Sequence, residues 1–250
     1  MSTARTAAAL IASLTLITAP VLTACEDNTQ DSSSSSSAAS DSSADSSKSD
    51  TKDKDSKDKK TATSDTSPSQ AGSSAKPASG DTQEITGSST GLTFAVPKDW
   101  QDLKNLDPSE KERVAQTMGI DGAALDQQTA AFDVFYRAKK QDSTGFYNNV
   151  NMAAQTQQLT SVPSKSNIEL LLAGQGATLK EYTTKQTAKG EAAVGTYTIQ
   201  GGGKTAEGAV IVVPTSQPTA GAANYTTIYV SAGTADEETQ ITNTIIDTIH

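Results

Sequence analysis

The sequence carries one cysteine, one histidine and one tryptophan in 250 residues, and aromatic side chains make up only 4% of it. A lone cysteine, Cys25, excludes an intramolecular disulfide and any cysteine metal cluster. The lone histidine is the last residue, His250, which argues against Ser-His-Asp or Cys-His catalysis and against histidine-ligated zinc. Positive charge is in deficit: 20 Lys and Arg stand against 29 Asp and Glu, a formal net charge of -9. The basic residues are scattered over the second half rather than gathered in a stripe, so no nucleic-acid partner is expected. Long apolar runs are also scarce. Only residues 6–22 form one, and nothing after them is long and apolar enough to span a bilayer.

That run follows a short start with one basic side chain, Arg5, and is itself short for a membrane span, as in a secretory leader. It ends in Leu22-Thr23-Ala24-Cys25. An aliphatic residue, two small residues and a cysteine in this place resemble the lipobox of bacterial lipoproteins. The resemblance implies a signal peptide over residues 1–24, a diacylglyceryl group on the Cys25 thiol, and cleavage that makes Cys25 the mature N-terminus. Two fatty chains of the palmitate kind would hold such a protein on a membrane, since burial stabilises by about 0.8 kcal/mol per CH₂ and one chain alone holds only marginally. The expected location is the outer face of a bacterial cytoplasmic membrane, with the lipidated cysteine as the membrane partner.

Residues 25–84 have almost no aliphatic or aromatic side chains. They run through DSSSSSSAASDSSADSSKSD, TKDKDSKDKK and TSPSQAGSSAKPASGDT. Such a stretch cannot bury enough apolar surface to offset a chain entropy of roughly 1–2 kcal/mol per ordered residue. It reads as a disordered tether. At about 5–6 Å × √n its root-mean-square reach is roughly 40 Å. Residues 85–250 have the length of one ordinary domain with a real core.

Within that domain, GLTFAVP alternates as a strand ending at Pro97. Asp107-Pro108-Ser109-Glu110 opens a helix, with Asp as cap and Pro at the first helical position, and a short helix follows Asp121. Phe132, Val134, Tyr136 and Ala138 alternate with Asp133, Phe135 and Arg137, the pattern of a half-buried strand. NVNMAAQT reads as its hairpin partner. Ser166 and Glu169 have capping-box spacing ahead of Ile168, Leu171 and Leu172. LKEYTTKQTA and EAAVGTYTIQ read as strands meeting near Lys189-Gly190. GAVIVVP has the continuous apolar character of a strand covered on both faces. NYTTIYVSAG is a further strand. Thr234 and Glu237 cap a last helix whose Ile241, Ile245 and Ile249 lie four apart, with Ile246 widening the stripe. The expected fold class is α+β, a mostly antiparallel sheet with helices packed on its faces.

The opening GLTFAVPKDW, through Phe94, Pro97 and Trp100, resembles the start of PsbP-like domains, which include LpqN-type lipoproteins. That resemblance implies an α/β/α sandwich acting as a non-catalytic accessory or binding module, with no shared catalytic set.

Three groups of residues are candidates for function. QGGGKT, residues 200–205, has the GKT of a phosphate loop, but Thr198 stands where the first glycine belongs and a strand follows in place of a helix. It reads as a hairpin turn. Trp100 could line a ligand cleft or pack the segment after it onto the sheet. Phe135 and Arg137, with Phe146 and Tyr147 in the nearby loop, form the best aromatic-plus-arginine cluster, a type enriched in interface hot spots. Trp100, Phe135, Arg137, Phe146 and Tyr147 are therefore the candidate binding surface, for an envelope protein or a lipid or glycan ligand. No catalytic residue, cofactor or metal is assigned. The alternative is a cell-wall hydrolase or transferase using paired carboxylates. Asp236, Glu237 and Glu238 are otherwise explained by the positive end of the last helix.

Overall fold

The computed structural model describes residues 74–201, 204–216 and 222–250. Cys25, the lipobox and most of the expected tether lie outside the described residues. Among those described, no helix is long and apolar enough to cross a membrane.

The elements in chain order are β1 (Thr82–Thr86), β2 (Thr93–Pro97), β3 (Trp100–Asp102), α1 (Pro108–Met118), α2 (Gly122–Thr129), β4 (Phe132–Ala138), β5 (Asn149–Ala153), β6 (Gln157–Leu159), α3 (Lys165–Ala173), β7 (Ala177–Thr187), β8 (Gly190–Gly201), β9 (Lys204–Pro214), β10 (Ala223–Ala232) and α4 (Ala235–Thr248). The main sheet runs β3-β4-β5-β10-β9-β8-β7, antiparallel throughout, with β6 pairing the far end of β10. β1 and β2 form a separate two-stranded hairpin. The fold is the α+β class expected.

Cross-strand partners share a face of the sheet. The register aligns Val134, Met152, Ile228, Ile211 and Val194 in one row. That face is covered by α4, through Ile241, Ile245, Ile246 and Ile249, and by Phe94 and Val96 of β2. On the other face α1 and α2 close over Phe132 and Phe135, and α3 closes over Ala193, Val210 and Val212. One cover is thus a helix plus a hairpin rather than helices alone.

Local chemistry explains the helix starts. Asp107 accepts a hydrogen bond from Glu110 N at 2.9 Å and Asp121 from Ala124 N at 2.7 Å. Thr234 does the same for Glu237 N. Helix α3 is capped two residues earlier than expected. Ser164 and Asn167 form the reciprocal box, and Ser166 lies inside the helix. Asparagine fills the return position where Glu or Gln is the usual signal.

Two further expectations are corrected. The ordered fold starts before residue 85: β1 opens at Thr82, and Lys76 N donates to Asp247 O with an ion pair to the Asp247 carboxylate at 2.8 Å. Strand β4 is buried on both faces, not one. The α1–α2 segment lies over the side that carries Phe132, Phe135 and Arg137, while Asp133, at a bulge in the register, turns toward the β1–β2 turn on the other side.

Glu238, expected from the positive end of the last helix, is also buried, and accepts from Thr242 Oγ1 at 2.7 Å. Burial pushes its pKa up. The folded state therefore holds the proton more tightly than the unfolded chain, and ionisation at neutral pH costs stability that returns as the pH falls. E238Q keeps an acceptor for Thr242 and removes the charge. It should raise the Tm at pH 7 by about 2–4 °C for each kcal/mol recovered, and the gain should vanish at pH 4 in thermal melts.

Candidate functional site

The face under α1, α2 and α3 carries an unusual polar lane. Register places Gln101, Arg137, Asn149, Ser231 and Gly208 side by side on successive strands. One step along, Phe135, Asn151 and Tyr229 align. An interior sheet face of this size would normally be apolar. Here polar side chains run between the α1–α2 cover on one side and the α3 cover on the other.

Arg137 is the centre of the lane. It is only 6% exposed, yet none of the ion pairs among the described residues includes it. One nitrogen, Nη2, donates to Thr117 Oγ1 of α1 at 3.1 Å. The Tyr147 ring lies over the guanidinium at 4.0 Å from the ring centroid. Nε is buried with no acceptor. Burial lowers the Arg137 pKa, with Tyr147 opposing the shift. A guanidinium offers five N–H donors, and buried charges are normally paired. The cation–π contact contributes about 0.5–2 kcal/mol, which does not replace a counter-ion.

Asn151 stands diagonally across from Arg137, about 7–8 Å between Cα atoms in such a register and within reach of a long side chain. It is also 6% exposed, and its Oδ1 is buried without a donor. Tyr229 is held by Gln175 Nε2, which donates to its hydroxyl at 2.8 Å. Tyr197 lies flat across Gly208, where a Cβ would stand 2.4 Å from the ring, and this close approach is why a glycine occupies the middle of β9. Its hydroxyl donates to Val230 O at 3.3 Å, and burial pushes its pKa up to about 12. Asn149 and Ser231 are only half-buried, so the lane opens to solvent between the two covers.

The structure divides the sequence-derived candidates. Arg137 and Tyr147 come together. Phe135 is on the same face but 3% exposed, in a T-shaped contact with Phe132 at 5.3 Å under α1 and α2. Trp100, 7% exposed, pairs with Ala138 and faces the opposite side, inside the α4 core. Trp100 therefore packs in the α4 core rather than holding the segment after it onto the sheet, and Trp100 and Phe135 are both buried. Phe146 is half-buried in the β4–β5 loop, its N–H donating to Asp142 Oδ1 at 2.9 Å. Gln101, Asn149 and Asn151 were not singled out from sequence. Period-2 polar positions in a strand read as solvent-facing, and only the register shows them beside Arg137.

The other sequence features take structural roles. Lys204 of the GKT turn donates to Thr144 O at 2.9 Å, so its ammonium holds the β4–β5 loop. Asp142 spends Oδ1 on Thr144 N, Thr144 Oγ1 and Phe146 N. Burial raises its pKa, but the bonds from Thr144 and Phe146 outweigh it and hold it below the ordinary aspartate value.

No protein-family model and no curated protein matches the chain. Among solved structures, it is similar to LpqN of Mycobacterium tuberculosis, a protein involved in cell envelope biogenesis, at 14% identity and a TM-score of 0.40, over 67% of this chain and 90% of that one. It is similar to the cyanobacterial PsbP of Synechocystis sp. PCC 6803 at 14% identity and a TM-score of 0.40, over 72% of this chain and 98% of that one. The Ran-binding protein Mog1p of Saccharomyces cerevisiae follows at 12% identity and a TM-score of 0.38, over 68% of this chain and 94% of that one.

Proposed function

We propose that this chain is an envelope lipoprotein whose domain is a non-catalytic binding module. Residues 22–25 support acylation of Cys25 and anchorage on the outer face of a cytoplasmic membrane. The Ser/Asp/Lys-rich stretch after Cys25 serves as the tether that lets the domain reach an envelope protein, lipid or glycan. The observation that carries the binding role is the polar lane. A domain that needed only stability would not keep a buried guanidinium without a counter-ion on its sheet, since leaving a buried charge unpaired costs several kcal/mol.

Two measurements test the two halves. C25A should move the protein from the membrane fraction to the soluble fraction on cell fractionation, because no described helix can hold it in a bilayer. Retention in membranes would overturn the anchor. Gentle extraction of the wild-type chain from native membranes, followed by mass spectrometry, should recover it with a stoichiometric small molecule or envelope protein. Repeated recovery of the chain empty and alone would overturn the binding module.

A further inference from the structure

We infer that the lane between the α1–α2 and α3 covers is an anion site, taking a ligand that presents a carboxylate or phosphate group next to a hydroxyl or N–H. This deepens the binding-module reading and rests on it.

The chemistry follows from what each buried atom lacks. Arg137 has a positive charge, one donated hydrogen bond to Thr117, and an Nε with no acceptor. An oxyanion supplies acceptors and charge together, and guanidinium–oxyanion bonds are about twice as strong as neutral ones. Asn151 Oδ1 lacks a donor. A ligand hydroxyl or N–H adjacent to the anionic group supplies that donor across the diagonal from Arg137. Both residues are nine-tenths buried, so each unmet need is expressed away from competing water. Entry is through the half-exposed Asn149 and Ser231. Tyr147 covers the guanidinium face, leaving its edge for the ligand. Tyr197 and Tyr229 are held by their own hydrogen bonds and form the rigid floor.

Asp and Glu are the ordinary solution for such an arginine, and the protein could have used one. An aspartate at 151 would be an internal counter-ion. Asparagine has the same shape without the charge, which leaves the charge of Arg137 for something from outside.

The test uses the full chain in detergent, with glycerol 3-phosphate, lactate and uncharged glycerol as probes. The readouts are the Arg137 Nε–H and Asn151 amide signals in nitrogen-15 NMR, with affinity from calorimetry. The phosphate ester or the carboxylate should shift both signals saturably, and glycerol should shift neither. The stronger of the two probes identifies the anionic group. R137Q should weaken binding roughly 10–100-fold, the range for losing a charge-assisted hydrogen bond. N151D, which gives Arg137 a carboxylate within the protein, should abolish probe binding while raising the Tm. That combination keeps the test valid if R137Q folds poorly, and a purely packing role for Arg137 does not predict it. No shift with either anion, or equal binding by wild type and N151D, overturns the inference. If a molecule co-purifies from membranes and stays bound in N151D, the anion site fails while the binding module stands. If nothing co-purifies and no probe binds, both fail.

Discussion

D133A should lower the stability of the domain by roughly 3–5 kcal/mol, and its Tm by about 6–20 °C at 2–4 °C per kcal/mol. Asp133 is buried at the start of β4, yet its carboxylate serves a segment some 45 residues away in sequence. It accepts from Ser88 Oγ at 2.9 Å, from Ser89 N at 3.0 Å, and from Thr90 N and Oγ1 at 3.1 Å each. These bonds tie the β1–β2 turn to the main sheet. Removing the carboxylate takes the acceptor from two backbone N–H groups of a part-exposed turn, and hydrogen bonds to a charged group contribute about 1.5–3 kcal/mol each. Gly87 adds a steric condition. A Cβ there would stand 2.3 Å from Asp133 Oδ2, so the turn and the carboxylate fit only as a pair.

The same residue sets a pH dependence. Burial raises its pKa, but the bonds from Ser89, Ser88 and Thr90 outweigh burial and hold it below the ordinary aspartate value. The folded pKa is depressed, so the stability is present above the unfolded value and is lost as the pH falls through the folded one. Wild type should lose stability below about pH 4. D133N should be intermediate at pH 7, because the amide keeps one acceptor and turns two N–H donors toward other donors, and its melting curve should lose this part of the acid dependence. Denaturant melts at pH 7 and pH 3 measure both. A D133A loss under about 1 kcal/mol would mean that the hairpin does not depend on this carboxylate.

Asp133 also shows why part of the fold was legible in the sequence and part was not. Where burial is achieved by apolar side chains alone, the pattern is local. GAVIVVP reads as a strand covered on both faces because nearly every residue is apolar, and Ile241, Ile245 and Ile249 read as a helix stripe because their spacing carries the geometry. Strand β4 is misread because each of its faces carries a buried charge, Asp133 toward the β1–β2 turn and Arg137 under α1. A charge in a strand reads as a solvent-facing position, and only a partner far along the chain makes its burial tolerable. Ser88–Thr90 for Asp133, and Thr117 with Tyr147 for Arg137, are such partners.

The short strands escaped for a related reason. β1 has one buried residue, Ile85, and β3 is three residues long. Neither offers enough alternation to register as a period. The site was half visible. Arg137 and Tyr147 stood out as an arginine near aromatics, and their contact is real. Trp100, a candidate on the same aromatic pattern, sits on the other face, because its pairing with Ala138 sets its parity opposite to Arg137. Parity across strands is a property of register, and register is written in the turns and partners rather than in any one segment.

I245A gives the other large effect, and it bears on how the two covers share the work. Ile245 is fully buried, one helical turn from Ile241 and adjacent to Ile246, against β2 and the row that includes Ile228 and Ile211. Truncating a fully buried isoleucine to alanine costs about 2–5 kcal/mol, part from lost transfer energy and part from the cavity left behind. The upper half of that range is expected here. Helix α4 is pinned at both ends, by the Thr234 cap and by His250, whose backbone N–H donates to Thr93 O at 2.9 Å while its carbonyl accepts from Thr93 N at 2.9 Å. A helix pinned in this way cannot slide to fill the void. I245V should cost about 0.5–1.5 kcal/mol. L170A, at a side chain 60% exposed on α3, should cost almost nothing. Chemical denaturation of the three variants measures the series. The polar lane lies on the opposite face, so I245A should weaken folding while leaving the affinity of the folded fraction for the anion probes unchanged. A flat series, with I245A no worse than L170A, would mean that α4 is not docked on the sheet.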